Sequence, residues 1–172
     1  ASQLQGNGDA DSGPEFGGFT ALQVADMDLD TDLDIVVAWN SDCDGGTAAA
    51  VIFQNQGPSA VRDGTWIGSA IPDDAPKGTI IRDVAVGDID RDGDLDVVAT
   101  HPEATSLNVR WFRNPAADEP DDYHISDGKW QVGTVGQVAT AGDVLRIADI
   151  DQDGVLDVLT RSTNGKVIQW LR

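Results

Sequence analysis

The feature that most constrains this chain is an aspartate-rich stretch that occurs three times. It reads DMDLDTDLDIVV from Asp26, DIDRDGDLDVV from Asp88 and DIDQDGVLDVL from Asp149, and successive copies lie 62 and 61 residues apart. Self-similarity at a near-constant interval marks a chain built from one recurring supersecondary unit. Other residues keep step, since DGTW ending at Trp66 is echoed by DGKW ending at Trp130. The repeat is therefore a whole module and not an isolated loop.

Within each module the apolar periodicity is that of strands. Leu22 and Val24, Val84 and Val86, and Leu145 and Ile147 alternate with other residues ahead of the aspartates, and a small residue follows at Ala25, Gly87 or Ala148. After the aspartates come continuous apolar runs, Ile35–Ala38, Val97–Ala99 and Val158–Leu159, as expected of strands buried on both faces. AVIFQN, NVRWFRN and KVIQWLR supply a third strand, and TWIGSAI and KWQVGTV a fourth. Gly, Pro, Asn and Asp punctuate the gaps, and no helical period is expected. Four short antiparallel strands per module predict an all-β fold of three β-propeller-like blades, the third incomplete. The divisions are an N-terminal segment over 1–17, blades over 18–77 and 78–137, and an incomplete blade over 138–172. Three blades fall below the usual four to eight, so the ring is not closed by this chain alone.

Charge narrows the partners. Thirty acidic against eleven basic residues give a formal charge of −19, which disfavours nucleic acid and anionic membrane surfaces and favours cations. No apolar stretch approaches the length of a spanning helix. The start at Ala1 without Met fits a mature secreted protein, and an extracellular location is expected. A single cysteine, Cys43, excludes an intrachain disulfide, and its neighbours Asp42 and Asp44 disfavour a reactive thiolate.

Each aspartate stretch reads as a nine-residue loop with carboxylates at its first, third, fifth and ninth places. These are Asp26, Asp28, Asp30 and Asp34; Asp88, Asp90, Asp92 and Asp96; and Asp149, Asp151, Asp153 and Asp157. The seventh residue, Asp94 or Val155 in the second and third loops, adds a backbone carbonyl. Alternating carboxylates on a tight turn aim several hard oxygens at one centre, which suits Ca²⁺ with its six to eight ligands better than octahedral Mg²⁺. Gly93 and Gly154 at the sixth place permit a sharp turn with positive φ. Thr31 stands there in the first loop, where a β-branched residue is costly, so of up to three Ca²⁺ sites the first is expected to be weaker or altered in shape. Solvated polar turns are the plain alternative, but that much like charge beside a buried strand is a liability without a cation.

GDIDRDGDLDVVAT and ADIDQDGVLDVLT resemble the FG-GAP or VCBS repeats of integrin alpha-chain propellers and many bacterial secreted proteins, and Phe16-Gly17 resembles the name-giving pair. The resemblance implies extracellular propeller blades with Ca²⁺ held between the first two strands of each. It does not imply one activity.

The function expected is structural or adhesive. Open strand edges and apolar blade faces call for a partner, so self-association into a filament or a closed ring is predicted, with residues 1–17 either a donated strand or disordered. Carbohydrate binding is the alternative, through Trp39, Trp66, Trp111, Trp130 or Trp170, with Trp111 and Trp170 expected to pack between blades. A third reading makes the chain part of a larger propeller. No enzymatic role is expected: His101 and His124 read as ordinary loop residues away from any nucleophile motif.

Overall fold

The computed structural model describes residues 17–40, 48–72, 81–101, 109–118, 125, 129–136, 142–162 and 166–172. Phe16, Cys43, His124 and nearly all of the N-terminal segment lie outside the described residues. Three antiparallel sheets follow one another along the chain. The first contains β1 (Gly17–Ala25), β2 (Asp34–Asn40), β3 (Ala48–Gln54) and β4 (Ile67–Pro72) in sequence order. The second contains β5 (Val84–Gly87), β6 (Asp96–Thr100), β7 (Val109–Arg113) and β8 (Gln131–Gly136), again in sequence order. The third contains β9 (Gly142–Ala148), β10 (Asp157–Ser162) and β11 (Ile168–Leu171). These are open, propeller-like blades, and no closed barrel forms among the described residues.

A six-residue helix, α1 (Pro58–Asp63), interrupts the first sheet between β3 and β4. This corrects the expectation of no helix. Six residues are too few to show a 3.6-residue period, and the local signal is instead Pro58 at the first helical position with positive-φ Gly57 and Gly64 at either end.

The sheets stack face to face through two cores. Val36, Ala38, Ala50, Ile52 and Ile71 of the first sheet meet Val84, Val97, Ala99 and Phe112 of the second, with Trp130 buried among them. Ala85, Val98 and Val109 of the second meet Leu145 and Val158 of the third, with Trp111 packed alongside. β6 lies between both cores and is buried along its whole length, which explains its unbroken apolar sequence. Close approach also dictates small residues: a Cβ on Gly87 would stand 3.0 Å from the Leu156 side chain, and one on Gly133 2.9 Å from the Trp111 ring.

The loops contribute to these cores in a fixed sense. The second-place residue of a loop points to the following sheet, as Met27 and Ile89 do, and the eighth-place Leu95 packs in the core shared with the preceding sheet. At the ends of the stack some residues of this polarity are exposed among the described residues, although Val37, Val51 and Phe53 on the leading face are buried, with Ile35 and Trp66 packed against them. Leu22 and Val24 are 57% and 50% exposed, whereas Val84 and Leu145, the counterparts of Leu22, are at 0%. Leu33 at the leading end and Ile150 at the trailing end are likewise exposed.

Two other expectations are corrected. Trp170 does not fill an inter-blade space: it is 43% exposed with the Arg172 guanidinium 4.5 Å from its ring centroid, because no sheet packs on that side of β11 among the described residues. His101 is not an ordinary loop residue but fully buried, since it follows directly on the enclosed β6.

Candidate metal centre

Each loop joins the first two strands of its sheet, and all three fold by the same hydrogen bonds. The sixth-place N–H, from Thr31, Gly93 or Gly154, donates to the first-place carboxylate of Asp26, Asp88 or Asp149 at 3.0, 3.2 and 2.9 Å. The seventh-place N–H, from Asp32, Asp94 or Val155, donates to the fifth-place carboxylate of Asp30, Asp92 or Asp153. The second-place N–H, from Met27, Ile89 or Ile150, donates to the ninth-place carboxylate of Asp34, Asp96 or Asp157. Short acidic side chains that capture nearby backbone donors are what bends the chain so tightly.

Left-handed backbone completes the turn. Thr31, Gly93 and Gly154 have φ of 78°, 103° and 84°, so Thr31 adopts the conformation that glycine takes in the other loops, at a cost of about 1–2 kcal/mol. The fourth-place residues Leu29, Arg91 and Gln152 are also left-handed, at 62°, 65° and 61°. Nothing in their side-chain types announces this. The alternating aspartates around them are the only signal, since the turn needs two reversals to bring alternate carboxylates inward.

The structure gathers the first-, third- and ninth-place carboxylates: Asp26, Asp28 and Asp34; Asp88, Asp90 and Asp96; Asp149, Asp151 and Asp157. In each group one oxygen per residue lies within 4.8 Å of the others. The fifth-place Asp30, Asp92 and Asp153 are not members of these groups, and their carboxylates accept the seventh-place N–H. Of the two seventh-place residues singled out from the sequence, Asp94 turns its side chain to the Ala117 N–H at 2.7 Å, and Val155 is exposed.

An asparagine after the third strand closes the first two loops, a feature that sequence reasoning did not single out although QN and RN end the third-strand runs. Asn55 donates its N–H to Asp34 at 2.8 Å, and Asn114 donates its N–H to Asp96 at 2.8 Å. The Asn114 amide also donates to the Leu95 carbonyl at 3.0 Å and, across the sheet boundary, to the Met27 carbonyl at 2.8 Å. One residue thus ties the second loop to the first.

Crowding of acids in buried surroundings has the expected electrostatic signature. Burial pushes Asp34 and Asp96 up to about 6, against the backbone N–H groups they accept, and pushes Asp94 up to about 7. Asp28 is also raised, chiefly by burial. Asp157 moves the other way, held low first by the Ile150 N–H. Two unit charges 4.8 Å apart repel by about 1 kcal/mol in water and about 3–4 kcal/mol at an effective dielectric near 20, so each trio gains from a bound cation. The fit is supported by Asp26 Oδ1 and Asp88 Oδ1, buried carboxylate oxygens without a hydrogen-bond partner. Three all-oxygen acidic groups of this kind can each hold a metal ion.

No curated protein and no solved structure matches the chain. Residues 26–99, from the first aspartate loop through the second strand of the second sheet, match the family model of the FG-GAP-like repeat, and over this stretch the chain is similar to that repeat.

Proposed function

We propose that the chain is an extracellular calcium-binding structural or adhesive module that self-associates through the open faces of its first and third blades. The single observation that carries this reading is the contrast between equivalent positions. Val84 and Leu145 are fully buried against a preceding blade, whereas Leu22 at the same place in the repeat is exposed together with Val24 and Leu33. A face shaped like two others that bury their apolar residues asks for a neighbour. The opposite end offers one, since Leu159, Trp170 and Ile168 occupy the side of the third sheet turned away from the second. Head-to-tail contact between such ends gives a ring if it closes and a filament if it does not. Ca²⁺ is the cation favoured by the carboxylate sets and by the FG-GAP-like repeat, and extracellular modules that bind at about 10⁻⁴–10⁻³ M are filled outside cells. Each ion holds the first two strands of a blade together.

Sedimentation of the purified chain in millimolar Ca²⁺ and in chelator tests the reading. Multiples of the protomer mass in Ca²⁺ that dissociate in chelator are expected, together with a higher melting temperature in Ca²⁺. A single protomer mass and one melting temperature in both conditions would refute it.

A further inference from the structure

Accepting the calcium reading, we infer that one residue at the end of each third strand grades the cation affinity of the three loops, leaving the first tightest and the second weakest. The register defines the position. Phe53 pairs with Ile35, Phe112 with Val97 and Leu171 with Val158, so the next residues, Gln54, Arg113 and Arg172, are equivalent. All three reach the third-place carboxylate of their own loop. Gln54 Nε2 donates to Asp28 at 2.8 Å, Arg113 Nε to Asp90 at 2.5 Å, and Arg172 is paired with Asp151 at 2.9 Å.

Their chemistry differs where their placement does not. Gln54 is buried and neutral, so it orients Asp28 without cancelling its charge. Arg113 is largely enclosed and binds Asp90, Asp92 and Asp118 together, which holds its guanidinium charged. A dication entering the second loop meets a fixed positive charge on the carboxylate it needs, or must displace it from three partners. Arg172 carries the same charge but is well exposed and rests on the Trp170 ring, so water screens it and it can swing aside. This order reverses the one expected from Thr31 alone. The backbone strain there is already met in the folded loop, whereas a resident guanidinium opposes each binding event.

Equilibrium Ca²⁺ binding to the full chain, measured by flow dialysis on wild type, R113Q, R113K, R172Q and Q54R, tests the inference. A monovalent charge about 5 Å from a divalent ion alters affinity about tenfold even at water-like dielectric. R113Q is expected to tighten the weakest step about tenfold, R172Q to act less, R113K to stay within about threefold of wild type, and Q54R to weaken the tightest step about tenfold. Unfolding in chelator identifies folded variants, and Q54R preserves the test if R113Q does not fold. Ca²⁺ binding with R113Q and Q54R unchanged in every step would overturn the inference and spare the calcium reading. No Ca²⁺ binding by wild type or any variant would overturn both.

Discussion

Replacement of Asp96 by alanine probes how much of a blade is held by its ninth-place carboxylate without metal. Asp96 accepts the Ile89 N–H at 3.1 Å and the Asn114 N–H at 2.8 Å in a fully buried position. Each orphaned buried donor costs about 1–3 kcal/mol, so D96A removes about 2–6 kcal/mol while the wild-type acid is protonated. Wild-type Asp96 is raised from 3.8 to about 6, chiefly by burial. A folded-state pKa above the unfolded value contributes stability that is present below about 4 and lost as pH rises through about 6. At roughly 1.4 kcal/mol per unit this amounts to about 3 kcal/mol, which D96A never had to lose. The D96A penalty is therefore largest near pH 4–5 and falls by up to about 3 kcal/mol towards pH 8. Asp157 is the internal control. Its carboxylate accepts the Ile150 N–H at 2.8 Å and its pKa is lowered, first by that bond and then by the Trp170 side chain, so its contribution is present above 3.8 and lost only on acidification below that. D157A should lower stability with no trend between pH 5 and 8. Urea unfolding in chelator at pH 5 and pH 8 gives both differences. A D96A penalty that grows towards pH 8, or equals that of D157A at pH 5, refutes the reasoning.

Two further substitutions isolate other parts of the loop. T31G removes a β-branched residue from φ of 78° and should raise stability in chelator by about 0.5–1 kcal/mol after the added chain entropy of glycine, read as a higher melting temperature; a fall would show that Thr31 is not strained there. N114A orphans the Met27 and Leu95 carbonyls and the Ala116 N–H and should cost about 2–5 kcal/mol, more than N55A, which affects one sheet; equal losses on chemical unfolding would exclude a tie between blades.

The legible part of this protein is what repeats locally. Strand periods, the 61–62-residue spacing and alternating aspartates point to three sheets, three loops and a carboxylate trio in each. Those features follow from neighbours within one module, because a strand's period and a turn's captured N–H groups are short-range. The fifth-place aspartates were legible as acids but not as lying outside the trio, since spacing along the chain does not give the distances between side-chain oxygens. The six-residue helix and the exposure of Trp170 were missed because one depends on a turn too short for periodicity and the other on no sheet covering that side of β11 among the described residues.

Sequence alone determined that the chain is a repeated all-β unit rich in hard oxygen ligands. Tertiary structure decided which equivalent residues are alike in fact. Leu22 and Val84 occupy one place in the repeat, yet stacking buries only the latter. Gln54, Arg113 and Arg172 look unrelated in the chain, yet strand register brings each to its loop's third carboxylate. Burial and charge pairing act through space, between strands and between sheets, so no reading along the chain could assign them.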